Sequence, residues 1–153
     1  MPRHLHNKDD ATKRIDAFLG ATPRKRSAGT LRAKHIEEVR ERWKRKEWDG
    51  MTPGKLVALY WLCHEEVYGV VPLELDRAVA WETAMKVAGS MVKRHFDDDM
   101  ERAITFMRWV WTREQRQETW RRENKRDGRR ITWKTQFSQD YLITDWRAAA
   151  MRA

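Results

Sequence analysis

"MTPGKLVALYWLCHEEVYG", residues 51–69, is the stretch on which the fold turns. Thr52 stands where a cap would accept a backbone N–H. Pro53 suits a first helical turn, where its missing N–H is not needed, and Gly69 can adopt the left-handed conformation that stops a helix. Between these signals Leu56, Leu59, Tyr60, Cys63 and Val67 recur at helical spacing, and Val57, Trp61 and Leu62 fill much of the remaining circumference. A helix apolar on nearly every side must be enclosed by others. The stretch therefore predicts a central buried helix in an all-α fold. That fold is a compact bundle of about five helices, with a basic N-terminal arm and a basic C-terminal helix–loop–helix.

Composition agrees. Only 4 Pro and 7 Gly punctuate 153 residues, and 9 Trp supply bulk for a core. The length suits one domain, expected over residues 31–153 behind a flexible basic arm of residues 1–30. No apolar run approaches a membrane span, and the start "MPRHLHNKDD" lacks the apolar core of a secretory signal. The lone Cys63, set in the most apolar segment, reads as a buried reduced thiol. A cytoplasmic protein is expected.

Working outward, "DDATKRIDAFLG" predicts a short helix from about Asp10, stopped at Gly20, whose narrow stripe includes Ile15, Phe18 and Leu19. Thr30 is the expected cap of a helix running to about Trp48, with Ile36, Val39 and Trp43 inward and Glu38–Arg42 as an i, i+4 pair. After an extended "VVPLEL", Asp76 is the expected start of a helix to about Phe96. Trp81, Ala84, Met85, Ala88 and Val92 face its core, and Ala84, Ala88 and Gly89 are small enough for close helix approach. Asp97, Asp98 and Asp99 read as capping residues for the next helix, because acids favour a helix N-terminus. That helix carries a regular stripe from Met100 through Ala103, Ile104, Met107 and Trp111, then runs on past its core contact. Asp127-Gly128 marks a loop or tight hairpin, and residues from about 131 return as one last helical segment.

Catalytic signatures are absent from the sequence. "HEEVY" lacks the second His of a metalloprotease helix, no glycine-rich phosphate loop occurs, and one Cys cannot build a zinc site. His4 and His6 in "HLH" make a poor metal pair on a terminal segment. No enzyme activity, metal, cofactor or small-molecule substrate is expected.

Charge gives the positive signal. The net charge is +9, yet residues 51–100 carry −3 while the flanks carry +6 each. Residues 113–134 hold nine Lys/Arg against four acids. Arg113, Arg116 and Trp120 share one helical face. Arg121, Arg122, Lys125, Arg126, Arg129 and Arg130 follow, and Trp133 and Lys134 lie beyond the loop. Arginine predominates, and its planar fork binds phosphate through two hydrogen bonds and stacks on flat rings. Basic residues interleaved with Trp120 and Trp133 can follow a phosphate backbone while the rings stack on bases, or the two rings can instead support the loop.

The pattern Ile131-Thr132-Trp133-x-x-x-Phe137, followed by Tyr141-Leu142 and Asp145-Trp146-Arg147, resembles the tails of phage and mobile-element replication accessory proteins. These include helicase-loader and initiator-associated proteins, and the likeness spans about residues 120–150. It implies single-stranded DNA binding in an accessory role, since no ATPase module accompanies it. The expected function is thus non-catalytic DNA binding in phage or mobile-element replication, with DNA and a replication protein as partners and no membrane. Two alternatives stand beside it. One is an adaptor or inhibitor of a host replication or transcription enzyme, docking through Ile15, Phe18 and Leu19. The other is an RNA-binding protein.

Overall fold

The computed structural model describes residues 28–152. The helix expected near Asp10, with its docking positions Ile15, Phe18 and Leu19, lies outside the described residues. Among the described residues there are six α-helices, five of them substantial, and no strand. They are α1 (Ala28–Arg45), α2 (Pro53–Tyr68), α3 (Ala78–Phe96), α4 (Met100–Glu123), α5 (Trp133–Phe137) and α6 (Tyr141–Arg152).

Helix α2 is the centre, with twelve of its sixteen residues buried. The Thr52 hydroxyl accepts the Lys55 N–H at 3.3 Å, and Gly69, at φ 78°, donates its N–H to Glu65 O. Helices α1, α3, α4 and α5 all pack on α2. Each fully enclosed side chain such as Leu56 or Tyr60 contributes about 1.5–3 kcal/mol through area removed from water. Gly54 lets α1 come close: a Cβ there would lie 2.7 Å from the His35 ring. Ala84 and Ala88 are fully buried, and Gly89 abuts the Pro53 ring, which is the close approach their size predicts. Helix α6 is anchored by Trp146, which meets Phe96 and Phe106 with ring centroids 5.6 Å apart.

Several boundaries differ from the sequence expectation. Helix α1 begins ahead of Thr30 and ends at Arg45, short of Trp48. Lys46 takes a left-handed conformation (φ 56°), Glu47 N–H returns to Arg42 O, and Arg42 Nε donates to Asp49 O. The first bond satisfies the Arg42 carbonyl at the helix end, and the second ties residues 46–50 back onto α1. The Glu38–Arg42 pair is present at 3.9 Å. Residues 73–76 are not extended but form a 3-10 turn that buries Leu75, and α3 starts at Ala78. Of the three aspartates, Asp99 is the N-cap of α4, accepting Arg102 N–H at 3.2 Å, while Asp97 ends α3 in a left-handed conformation.

The C-terminal segment is two helices rather than one. Thr132 caps the short α5, which stops at Phe137, and the chain restarts at Tyr141. No hairpin forms at Asp127-Gly128 either. The turn falls at Asn124-Lys125, Lys125 being left-handed at φ 52°, and residues 126–132 run as an irregular loop. Among the described residues, no helix is long and apolar enough to cross a membrane.

Candidate nucleic-acid interface

The loop after α4 is held from below by α2. Tyr60 donates its hydroxyl hydrogen to Ile131 O at 3.0 Å, and the Tyr68 hydroxyl accepts Ile131 N–H at 2.8 Å. Tyr68 in turn donates to Glu114 Oε2 at 2.6 Å. Burial holds both phenols above their ordinary pKa, with the Glu114 hydrogen bond adding to the effect at Tyr68, so both hydroxyls remain protonated. A loop whose backbone N–H and C=O are both satisfied by buried tyrosines is fixed in place.

Arg121 completes this anchor. Its Nη2 lies 2.6 Å from Glu114 Oε2 and 2.8 Å from Glu118 Oε1, and its side chain is only 15% exposed. Burial opposes its charge, but the hydrogen bonds it donates to Glu118 and Glu114 prevail and raise its pKa. The arginine side chain packs against Gly128, where a Cβ would meet it at 2.5 Å. Gly128 therefore matters for close approach rather than for a turn. The stripe of α4 does not end at Trp111. It continues as buried Glu114, and the polar network replaces apolar contact.

On this base, residues of α4, the loop, α5 and α6 surround a cleft of about 420 Å³. Arg113, Arg121, Arg129 and Arg130 line it, with Glu114 the one carboxylate in the lining and Thr135, Gln139 and Tyr141 supplying further polar groups. The four arginines are not equivalent. Arg113 is paired with Asp145 at 3.3 Å and lies over the Trp109 ring at 4.5 Å. Arg121 is committed to its two glutamates. Arg130 rests on the Tyr68 ring at 5.2 Å, and among the described residues neither it nor Arg129 has a carboxylate within ion-pair distance. Both guanidiniums are exposed.

Beside this cleft, Trp120 is 55% exposed and borders a second hollow with Gln117, Arg126 and Gly128. Arg116, one helical turn back on the same face, is exposed as well, as are Lys125 and Arg126. Arg122 is tied to Glu118 at 3.1 Å and to Val67 O at 3.2 Å. Trp133 takes the supporting role. It is 8% exposed, inside the core, with Lys134 over its ring at 5.6 Å.

Eight of the eleven nucleic-acid positions named from sequence are thus exposed, whereas Trp133 is packed, Arg121 is mostly covered and Arg113 is partly buried against Asp145. Sequence reasoning missed Tyr68 and Glu114, which no local motif singles out, and only their meeting across 46 residues gives them a role. Tyr141, named from sequence only within the aromatic tail pattern, also lines the cleft. Trp43, expected in the core stripe of α1, is instead 38% exposed.

Among the described residues, no three His, Cys, Asp or Glu side chains gather as a metal site requires. Comparison with protein-family models, with curated proteins and with solved structures gives no match.

Proposed function

We propose that this helical-bundle protein is a non-catalytic DNA-binding protein, an accessory factor in the replication of a phage or mobile element. The observation that carries the binding reading is the exposed, unneutralised pair Arg129 and Arg130 beside exposed Trp120, on a loop fixed by two buried tyrosines. Guanidiniums free of carboxylates gain by binding phosphate, and an exposed indole among them offers a flat face to an unpaired base. The replication setting rests on the resemblance of the aromatic and basic tail. The adaptor alternative depends on residues outside the described part of the chain.

The test is fluorescence anisotropy with single-stranded DNA, duplex DNA and RNA across a salt series. Single-stranded DNA should bind with little sequence preference. About four to six neutralised phosphates give a log–log salt slope of roughly −3 to −4 on single strands. No binding to any of the three at about 50 mM salt, where exposed charges are little screened, would refute the proposal.

A further inference from the structure

A separate groove lies on the other side of α4, walled by the end of α1 and floored by α2. Its origin is the left-handed Lys46 that ends α1 and folds residues 46–50 back. Trp43, on the last turn of the helix, and Trp48, just past the turn, then stand at one mouth. The floor is apolar and neutral. Leu59, Cys63, Val67 and Trp111 are all buried, and burial pushes the Cys63 thiol well above its ordinary pKa, so it adds no charge. The volume is about 390 Å³, at the lower end of the range of small-molecule sites.

Three cations rim this floor: Lys46 from the turn that follows α1, and Arg108 and Arg116 from α4. All three are exposed, and among the described residues none has a carboxylate within ion-pair distance. Glu66 is the one acid in the lining. The groove combines two half-open indoles, an uncharged floor and an excess of cation. That chemistry matches a flat ring carrying an anion.

We propose that this groove is a subsite for one nucleobase and its adjoining phosphate, with Trp43 as the stacking face and Arg108, Lys46 and Arg116 as phosphate ligands. The inference rests on the nucleic-acid reading above and extends it. Arg116 links the two regions, because it borders this groove and shares a helix face with Trp120, four residues on, which borders the other hollow. Arg108 to Trp120 spans about 18 Å along α4 at the helical rise of 1.5 Å per residue. One single strand held at both ends would cross that ridge. A rigid duplex presents no free base, so it would engage the arginine cleft alone.

The experiment uses the full chain with 5-fluorotryptophan incorporated, the Trp43 resonance being assigned by loss in Trp43→Phe. The probes are twelve-residue oligothymidylate, the matching oligouridylate, a duplex, and a Trp-containing glutamate-rich peptide. Oligothymidylate or oligouridylate should shift the Trp43 fluorine resonance, and the stronger of the two names the nucleotide preferred. Trp43→Leu and Arg108→Gln should each weaken single-strand binding at least about fivefold at unchanged melting temperature. Single-strand binding that both variants retain at full strength, with the Trp43 resonance unmoved, would overturn the subsite and leave the arginine cleft standing. A resonance moved by the acidic peptide and not by either oligonucleotide would make the groove a protein-docking site and overturn the proposal. Loss of all nucleic-acid binding in the unmodified sequence would remove both readings together. Should Trp43→Leu lower the melting temperature, exposed Arg108→Gln decides the matter alone.

Discussion

The Arg121 side chain occupies the space that a β-carbon on Gly128 would need: the built position lies 2.5 Å from Cδ and 2.9 Å from Nε. Arg121 cannot step aside freely, because both Glu114 and Glu118 hold its guanidinium. Gly128→Ala should therefore displace it, leave Glu114 partly unpaired in its buried position, and cost about 1–3 kcal/mol. Thermal unfolding measures this. An alanine variant that melts like the parent would show that the loop shifts instead of the arginine.

The arginines of the cleft should divide into two classes. Arg121→Ala removes the cation from a carboxylate whose side chain is 6% exposed, and should destabilise the fold by about 3 kcal/mol. Arg129→Ala with Arg130→Ala should change stability by less than about 1 kcal/mol, since only the stacking of Arg130 on Tyr68 is lost. The same pair should weaken DNA binding and make the salt slope shallower by roughly one per lost phosphate contact. Chemical denaturation and anisotropy on the two variants separate the classes. Equal effects on stability would merge them.

The two tryptophans around the loop should behave oppositely. Trp133, 8% exposed, should cost about 3–5 kcal/mol of stability on change to Ala, because the core around it relaxes only partly. Trp120, 55% exposed, should leave the melting temperature nearly unchanged and lower single-strand affinity by about 1–3 kcal/mol. A Trp120→Ala protein that melts far lower yet binds normally when folded would make that residue structural.

Stability should fall as pH drops below about 6.5. Burial lowers the pKa of both His64 and His35, against the pull of the Val70 carbonyl on the first and of Glu38 on the second. Above their unfolded value of about 6.5 both are neutral folded or unfolded, and nothing is lost. Below it the unfolded chain takes up protons that the folded chain resists, so stability declines until the lowered folded values are reached. Melting temperatures from pH 7.5 to 5 should show this slope, and a His35→Gln, His64→Gln protein should show less of it. An unchanged slope would assign the effect to carboxylates.

The amino-acid sequence by itself determined α1 to α4 and the centre of the bundle, but not the break between α5 and α6. Caps, Pro and Gly act within a turn or two of the chain, so Thr52, Pro53 and Gly69 delimit α2 without reference to anything distant. The stripes of α3 and the first part of α4 are similarly local, because period and burial coincide where a helix meets one continuous core. Tertiary structure alone decided which charges are free. Arg121 and Arg129 look alike in sequence, yet one is bound by glutamates on its own helix against a glycine seven residues on, and the other lines an open cleft without a carboxylate partner among the described residues. Trp120 and Trp133 are likewise equal as letters, and Trp43 sits on a regular stripe but emerges beside a groove. Burial depends on what the rest of the chain brings alongside, here Tyr60 and Tyr68 reaching Ile131 from 71 and 63 residues away. The information for such a meeting is spread over contacts distant in sequence, and no local pattern carries it.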